Sequence, residues 1–369
     1  MKIREFDLER YYGKYEFTTR FQLSASDCES LSIGELLERC HMGPETILEQ
    51  RLGYTETRGA LDLREAIAAF YPGCAADQVL VCNAPQEAIF LTMQALLESG
   101  DRVVVLTPCY PSLKEVARSI GCEVVEWSVV ESAEGWKLDL DQLEKHLSRT
   151  TKLLVTNAPH NPTGLQPTHE EWCRIRELVT NHGVKWFSDE MYRGLEADPA
   201  RALTPACAHA PGAVSLWGSS KSFGLPGLRI GWLVSHDGAL LSEVEKLKDY
   251  TSICSSAPGE VLARVALEHA QPIFDGHRRC IADNIRLVDG FVARNSQRCT
   301  WFAPQAGPVG LMRISGETAS AHAERIRLEA EGLLVPATFF DLDDAHVRIG
   351  LGRADFPEAL ARWESVVAG

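Results

Sequence analysis

The sequence predicts an α/β protein: a large domain built on a mostly parallel sheet, followed by a smaller α/β domain. Three observations carry the prediction. Short apolar runs of strand length alternate with longer helical segments between Val79 and Val234. Turn-forming and chemically active residues gather just after several of those runs, where open α/β sheets bind ligands. At 369 residues the chain is also long enough for one large domain and a smaller one.

Composition narrows the function classes. An apolar share of 45% and a charged share of 24% are ordinary for a globular protein. A net charge of −14 offers no basic stripe to neutralise nucleic-acid phosphates. Eleven cysteines are scattered without C-x-x-C pairs, so neither a metal site nor a disulfide framework is expected. Residues 1–7 lack the apolar core of a signal peptide. No run reaches the roughly 18 apolar residues that span a bilayer. The expectation is a cytoplasmic protein with reduced thiols, without nucleic-acid or membrane partners.

Taken in order, the first forty-odd residues hold aromatics (Tyr11, Tyr12, Tyr15, Phe17, Phe21), a turn-like segment at 23–30 and an amphipathic helix near 33–40. The loop Gly53-Tyr-Thr-Glu-Thr-Arg-Gly59 leads into a helix opening at Leu61. Residues 79–82 read as a strand feeding a helix that runs to about Glu98. Such a junction binds anions through unpaired amides and the helix dipole. Pro85 lacks an N–H but suits the first helical position, leaving the amides of Ala84, Gln86 and Glu87 as donors. The strand that follows Asp101 ends in Pro108-Cys-Tyr110, and a strand at 123–127 and a helix at 139–147 continue the alternation. A strand at 152–156 ends in Asn157-Ala-Pro-His-Asn-Pro-Thr-Gly164, and one at 184–188 delivers Asp189-Glu-Met-Tyr192. Beyond Gly231 come a long helix near 272–295, strands near 311–314 and 346–349, and helices near 318–331 and 357–367. The expected division is an arm at 1–44 that joins the small domain, a large domain at 45–270 and a small domain at 271–369.

The centre of the chain is Ser215-Leu-Trp-Gly-Ser-Ser-Lys-Ser-Phe-Gly-Leu-Pro-Gly-Leu-Arg-Ile-Gly-Trp232. An apolar strand at 213–217 is followed by Ser219, Ser220 and Lys221, then a glycine-bracketed turn, then Arg229 and a second apolar run. A lysine at a strand end can condense with an aldehyde. An arginine eight residues later can clamp a phosphate with its planar fork. An amine and a phosphate clamp together suggest pyridoxal 5'-phosphate, PLP.

The joint spacing of Lys221, Leu225, Gly227, Arg229 and Gly231 resembles the PLP-lysine signature of fold-type I, class I/II aminotransferases. Asn-Pro-Thr-Gly after a strand resembles a second signature of that family. One departure is visible: many relatives carry serine three residues before the lysine, where Gly218 stands here. The resemblance implies a three-layer α/β/α large domain with a mostly parallel seven-stranded sheet, plus a small α/β domain. It implies Lys221 as the PLP lysine and proton carrier, Asp189 at the ring nitrogen and Tyr192 at the phenolic oxygen. A carboxylate there keeps the ring nitrogen protonated. It places Asn161 on the phenolic oxygen and the substrate carboxylate, and Tyr110 stacked on the ring. Ser219, Ser220, Arg229 and the Ala84-Pro85-Gln86 turn would hold the phosphate. Tyr54 would reach the phosphate of a partner subunit, which implies a homodimer with shared sites. In His346-Val-Arg-Ile-Gly350, Arg348 would take the substrate α-carboxylate, with Arg353 its competitor. The arm would cover the substrate, with Arg20, Arg58 and the segment from Ser24 to Ser30 nearby. The implied reaction moves an amino group from an amino acid to a 2-oxo acid. Elimination, cyclisation or oxidation of an amino acid would use the same residues. A ligand-sensing regulator is the third class, and the −14 charge counts against it.

Overall fold

The computed structural model describes residues 2–368. Its main layer is a seven-stranded sheet of β1 (Val79–Asn83), β2 (Arg102–Thr107), β3 (Glu123–Ser128), β4 (Thr151–Asn157), β5 (Lys185–Asp189), β6 (Ala213–Gly218) and β7 (Ile230–Val234). The spatial order is β1-β7-β6-β5-β4-β2-β3. Strands β2 to β6 pair in parallel, and β7 runs antiparallel to both of its neighbours.

The continuous apolar runs in these strands follow from coverage on both faces. Successive residues of β2 and β4 serve opposite cores, as a period of two demands. Val103, Val105, Leu153 and Val155 pack with Ile89, Val116 and Val244 from the helices Pro85–Leu96, Ser112–Ile120 and Gly238–Lys248. Val104 and Leu154 pack on the other face with Trp172, Ile175 and Leu143 from His169–His182 and Leu140–His146. A third core centres on Trp217 of β6. The rings of Phe70, Phe223 and Trp232 lie 5.3 to 5.5 Å from it, each pair worth about 0.5–1.5 kcal/mol beyond area burial. This cluster fixes the floor under the loop that carries Lys221.

The 25-residue helix Ala270–Arg294 leads into an antiparallel sheet of β8 (Cys299–Trp301), β9 (Val309–Ile314), β10 (Val335–Pro336) and β11 (His346–Gly350), in the order β8-β9-β11-β10. Helices Ala319–Glu329 and Phe356–Ala368 complete this unit. Strands β8 and β10 are too short, at three and two residues, to show any periodicity in sequence.

The arm departs from the expected division. Phe21, Leu23 and Cys28 join the core of the small domain, and Phe21 bridges Gly332. Leu36, Leu37 and Cys40 instead pack with Leu63, Ile67 and Leu262 in the large domain. We therefore place the changeover between Cys28 and Ile33, because the apolar face of helix Ile33–Arg39 is spent on the large domain. The arm also opens with a helix, Asp7–Tyr15, where only a run of aromatics is evident in sequence.

Candidate active site

The carboxyl ends of β4, β5 and β6 face one cavity of about 600 Å³. Asn157 ends β4 and Asp189 ends β5, and the parallel register sets them side by side. Asn157 Nδ2 donates to the Asp189 carbonyl at 3.0 Å, and its Oδ1 accepts the Asn161 amide at 2.7 Å. One side chain thus ties the Asn-Pro-Thr-Gly loop to the neighbouring strand end.

The departure at position 218 has a steric cause. A Cβ on Gly218 would lie 2.8 Å from Pro85 Cγ, and one on Gly231 would lie 2.5 Å from Pro85 N. The two glycines form the notch that Pro85 fills, so a serine at 218 has no room here. Ala84 takes up the turn at φ 73°, a left-handed conformation usually left to glycine.

Lys221 Nζ donates to Ser26 Oγ at 2.8 Å. Burial lowers its pKa, opposed by Asp27 and helped by the Arg348 charge. Asp189 is 6% exposed and accepts the Met191 amide. Burial pushes its carboxyl up to about 7. A cation beside it would reverse that shift, and the protonated ring nitrogen of PLP is such a cation. Tyr192 donates to the Ser26 carbonyl at 3.0 Å, and burial raises its phenol. Arg348, 1% exposed, donates to Asn161 Oδ1 (3.1 Å), Tyr12 Oη (2.5 Å) and the Ser24 carbonyl (2.8 Å). With Asn161 Oδ1 so engaged, its amide nitrogen remains to donate elsewhere. Tyr110 lines the wall, donates to Glu9 at 2.7 Å and packs 5.1 Å from the Phe6 ring.

At the phosphate end, Ser220, Arg229, Pro85 and Gln86 line the cavity. Two expected contributors drop out. The Ser219 hydroxyl is committed to the carbonyls of Leu225 and Ile230, which leaves Ser220 as the serine that faces the cavity. The Ala84 amide is taken by the Cys82 carbonyl at 2.9 Å, leaving the first-turn amides of Gln86 and Glu87.

Other expected residues lie elsewhere. The Ser24 hydroxyl donates to the Arg348 carbonyl and accepts the Val335 amide at 2.8 Å, so it pins the arm to β10 and β11 and does not face substrate. Arg20 pairs with Glu358 and Arg58 with Glu245, each at 2.8 Å and outside the cavity. Arg353 pairs with Asp27 at 2.9 Å behind the wall, so Arg348 is the arginine of this motif that the cavity presents. Tyr54 is 93% exposed and away from its own chain's cavity. Ser26 and Asp27 fall in the segment 24–30 expected near the substrate, whereas sequence reasoning missed Glu9, Tyr12 and Glu16, which reach the cavity only through the folding of the arm. Among the described residues, no group of three or more metal-type ligands occurs, and no helix is long and apolar enough to cross a membrane.

A desolvated lysine, a buried carboxylate short of a cation and an anion-binding turn, all at strand ends, fit a phosphorylated aldehyde with a basic ring nitrogen. PLP is that group. Residues 26–361 match the family of class I and II aminotransferases. The chain is 29% identical to capreomycidine synthase of Streptomyces vinaceus over 346 residues, covering 93% of this chain and 88% of that protein. It is 29% identical to arginine–pyruvate transaminase AruH of Pseudomonas aeruginosa over 318 residues, covering 83% and 80%. The solved PLP-dependent cyclase OrfR matches with a TM-score of 0.91 at 28% identity, over 100% of this chain and 98% of that one. The chain belongs to the class I and II aminotransferase family, PLP-dependent transferases of fold type I.

Proposed function

We propose that the protein is an aminotransferase that moves the amino group of an amino acid to a 2-oxo acid. The observation that carries this is Lys221, a desolvated lysine held at a strand end beside Asp189, Tyr192, Asn161 and Arg348 in one cavity. When bound, PLP supplies an electron sink for the charge left on the α-carbon. Lys221 is its point of attachment. The Lys221 amine, kept toward its neutral form by burial, takes the α-proton and later returns it. Asp189 holds positive charge at the ring nitrogen. Arg348 receives the α-carboxylate through charge-assisted bonds, and Asn161 orients that fork from the side. Ser220, Arg229 and the amides of Gln86 and Glu87 hold the phosphate. Tyr12 and Ser26 close the arm over the site and exclude water.

The functional unit in this reading is a homodimer. Tyr54, Leu52 and Tyr250 are 93%, 85% and 92% exposed, and a second copy that covered them would bring Tyr54 to the partner's phosphate.

A second reading is cyclisation of an amino acid. It is favoured by the near full-length likeness to capreomycidine synthase and to the cyclase OrfR. One assay separates the two. The PLP-loaded protein is given a panel of amino acids with and without a 2-oxo acid, and products are followed by mass. Acceptor-dependent formation of a keto acid supports transfer. A product formed without acceptor, or release of ammonia or hydrogen peroxide, overturns it.

A further inference from the structure

Part of the cavity wall has no task in that reaction. Asp189, Lys221, Arg229 and Arg348 are assigned to the cofactor and the α-carboxylate. What remains charged on the wall is Glu9, Glu16 and Asp27, set against Arg10 alone. All four come from the N-terminal arm.

The three carboxylates are unequally compensated. Asp27 receives Arg353 at 2.9 Å, and Glu9 receives the Tyr110 hydroxyl at 2.7 Å. The Glu16 carboxylate has no hydrogen bond or ion pair among the described residues, although it is half-buried. Burial first, then Asp27 and Glu9, raise its pKa, while the charges of Arg353 and Lys221 act the other way. Arg10 is exposed and does not offset it.

Arg348 supplies an independent sign of the ligand. It is 1% exposed, lines the same cavity, and keeps its Nε without a partner. Its Nη2 is tied to the arm through Tyr12 and the Ser24 carbonyl, while Nη1 donates to Asn161. An amino acid whose carboxylate is held there therefore lies beside the acidic arm. A neutral side chain would leave Glu16 partly desolvated and unpaired, whereas a cation would pair with it through charge-assisted bonds.

Resting on the reading above, we propose that the substrate is an amino acid with a cationic side chain, guanidinium or ammonium, and that Glu16, backed by Asp27 and Glu9, is its specificity determinant.

The test titrates the PLP-loaded protein with L-arginine, L-lysine, L-citrulline and L-norleucine. Equilibrium binding is read from the cofactor's absorption spectrum and conversion from product mass. Arginine or lysine should bind at least about tenfold tighter than citrulline, the neutral analogue of arginine, and which of the two binds tighter separates guanidinium from ammonium. Glu16→Gln should cut that preference to within about threefold by weakening the cationic ligands alone, with kcat little changed, and Glu16→Asp should restore part of it. Wild-type protein that binds and converts citrulline or norleucine as well as arginine would overturn the charge assignment and leave the aminotransferase reading intact. An unchanged preference in Glu16→Gln would overturn the role of Glu16. A spectrum that no amino acid perturbs, with no conversion, would overturn the aminotransferase reading and this inference together.

Discussion

The cofactor half and the substrate half of the cavity are built on different principles. In the cofactor half, Asn157, Asp189 and Ser220–Lys221 each lie at or within three residues of a strand end, and the sheet register alone brings them together. In the substrate half, Arg348 meets Tyr12 and Ser24 across 336 and 324 residues of sequence. The first half is a property of the scaffold. The second is a property of how one strap is laid across it, and so it is the half free to change its ligand.

This contrast orders the expected effects. Lys221→Ala, at the centre of the scaffold half, should cost the most. Loss of the attachment amine and the proton carrier together should lower turnover by about 10⁴-fold or more, measured as keto-acid formation. Residual activity within tenfold of wild type would break the contrast at its root.

Asp189→Asn keeps the shape and removes the charge, and should lower turnover by roughly 10²-fold or more while some PLP remains bound. It also carries a pH signature in the cofactor-free protein. The folded Asp189 carboxyl titrates near 7 against a reference of 3.8, so it is the protonated form that folding favours. Its contribution to stability is therefore full below about pH 4 and is lost as pH rises through 7. Thermal melts of the cofactor-free protein should fall over that window, and Asp189→Asn should flatten the fall.

In the substrate half, Arg348→Lys keeps the charge but loses the fork. Amino-acid binding should weaken by about 1.5–3 kcal/mol, roughly 10- to 150-fold, with the colour of the resting holoenzyme unchanged. Arg353→Lys should leave binding close to wild type, since its partner is Asp27 and not the ligand. The reverse pattern in spectral titrations would exchange the two assignments.

The smallest pair sharpens the phosphate end. Ser220→Ala should weaken PLP affinity by about 0.5–1.5 kcal/mol. Ser219→Ala should leave affinity alone and lower the melting midpoint, because two buried carbonyls lose their hydroxyl donor. Equal effects on PLP affinity would show that both hydroxyls reach the phosphate.

The same contrast explains what was legible in the sequence. The strands around Val104 and Leu154 carry apolar runs because both faces are buried, and Lys221, Asp189 and Asn161 sit at or close after strand ends of this kind. The notch filled by Pro85 was visible only as an unexplained glycine at 218, since its cause is a contact with β7 and a helix start far away in sequence. Nothing local marks Ser26 as the partner of Lys221, or Glu16 as a lining residue. The helix Asp7–Tyr15 buries only Leu8, so it shows little of the apolar stripe that betrays a core helix. Its place is set by long-range contacts such as Tyr11 to the Leu334 carbonyl and Arg4 to Asp341.

The central claim is that Lys221 carries the cofactor, and borohydride reduction of the holoenzyme followed by peptide mapping tests it most directly. Two lysines are more deeply buried than Lys221. Lys114 is tied to Asp341 at 2.7 Å, and Lys248 to the Thr57 and Ile253 carbonyls at 2.6 and 3.0 Å. The account predicts the reduced label on the peptide that contains Lys221, and none in the Lys221→Ala variant. A label on Lys114, Lys248 or any other lysine would contradict it.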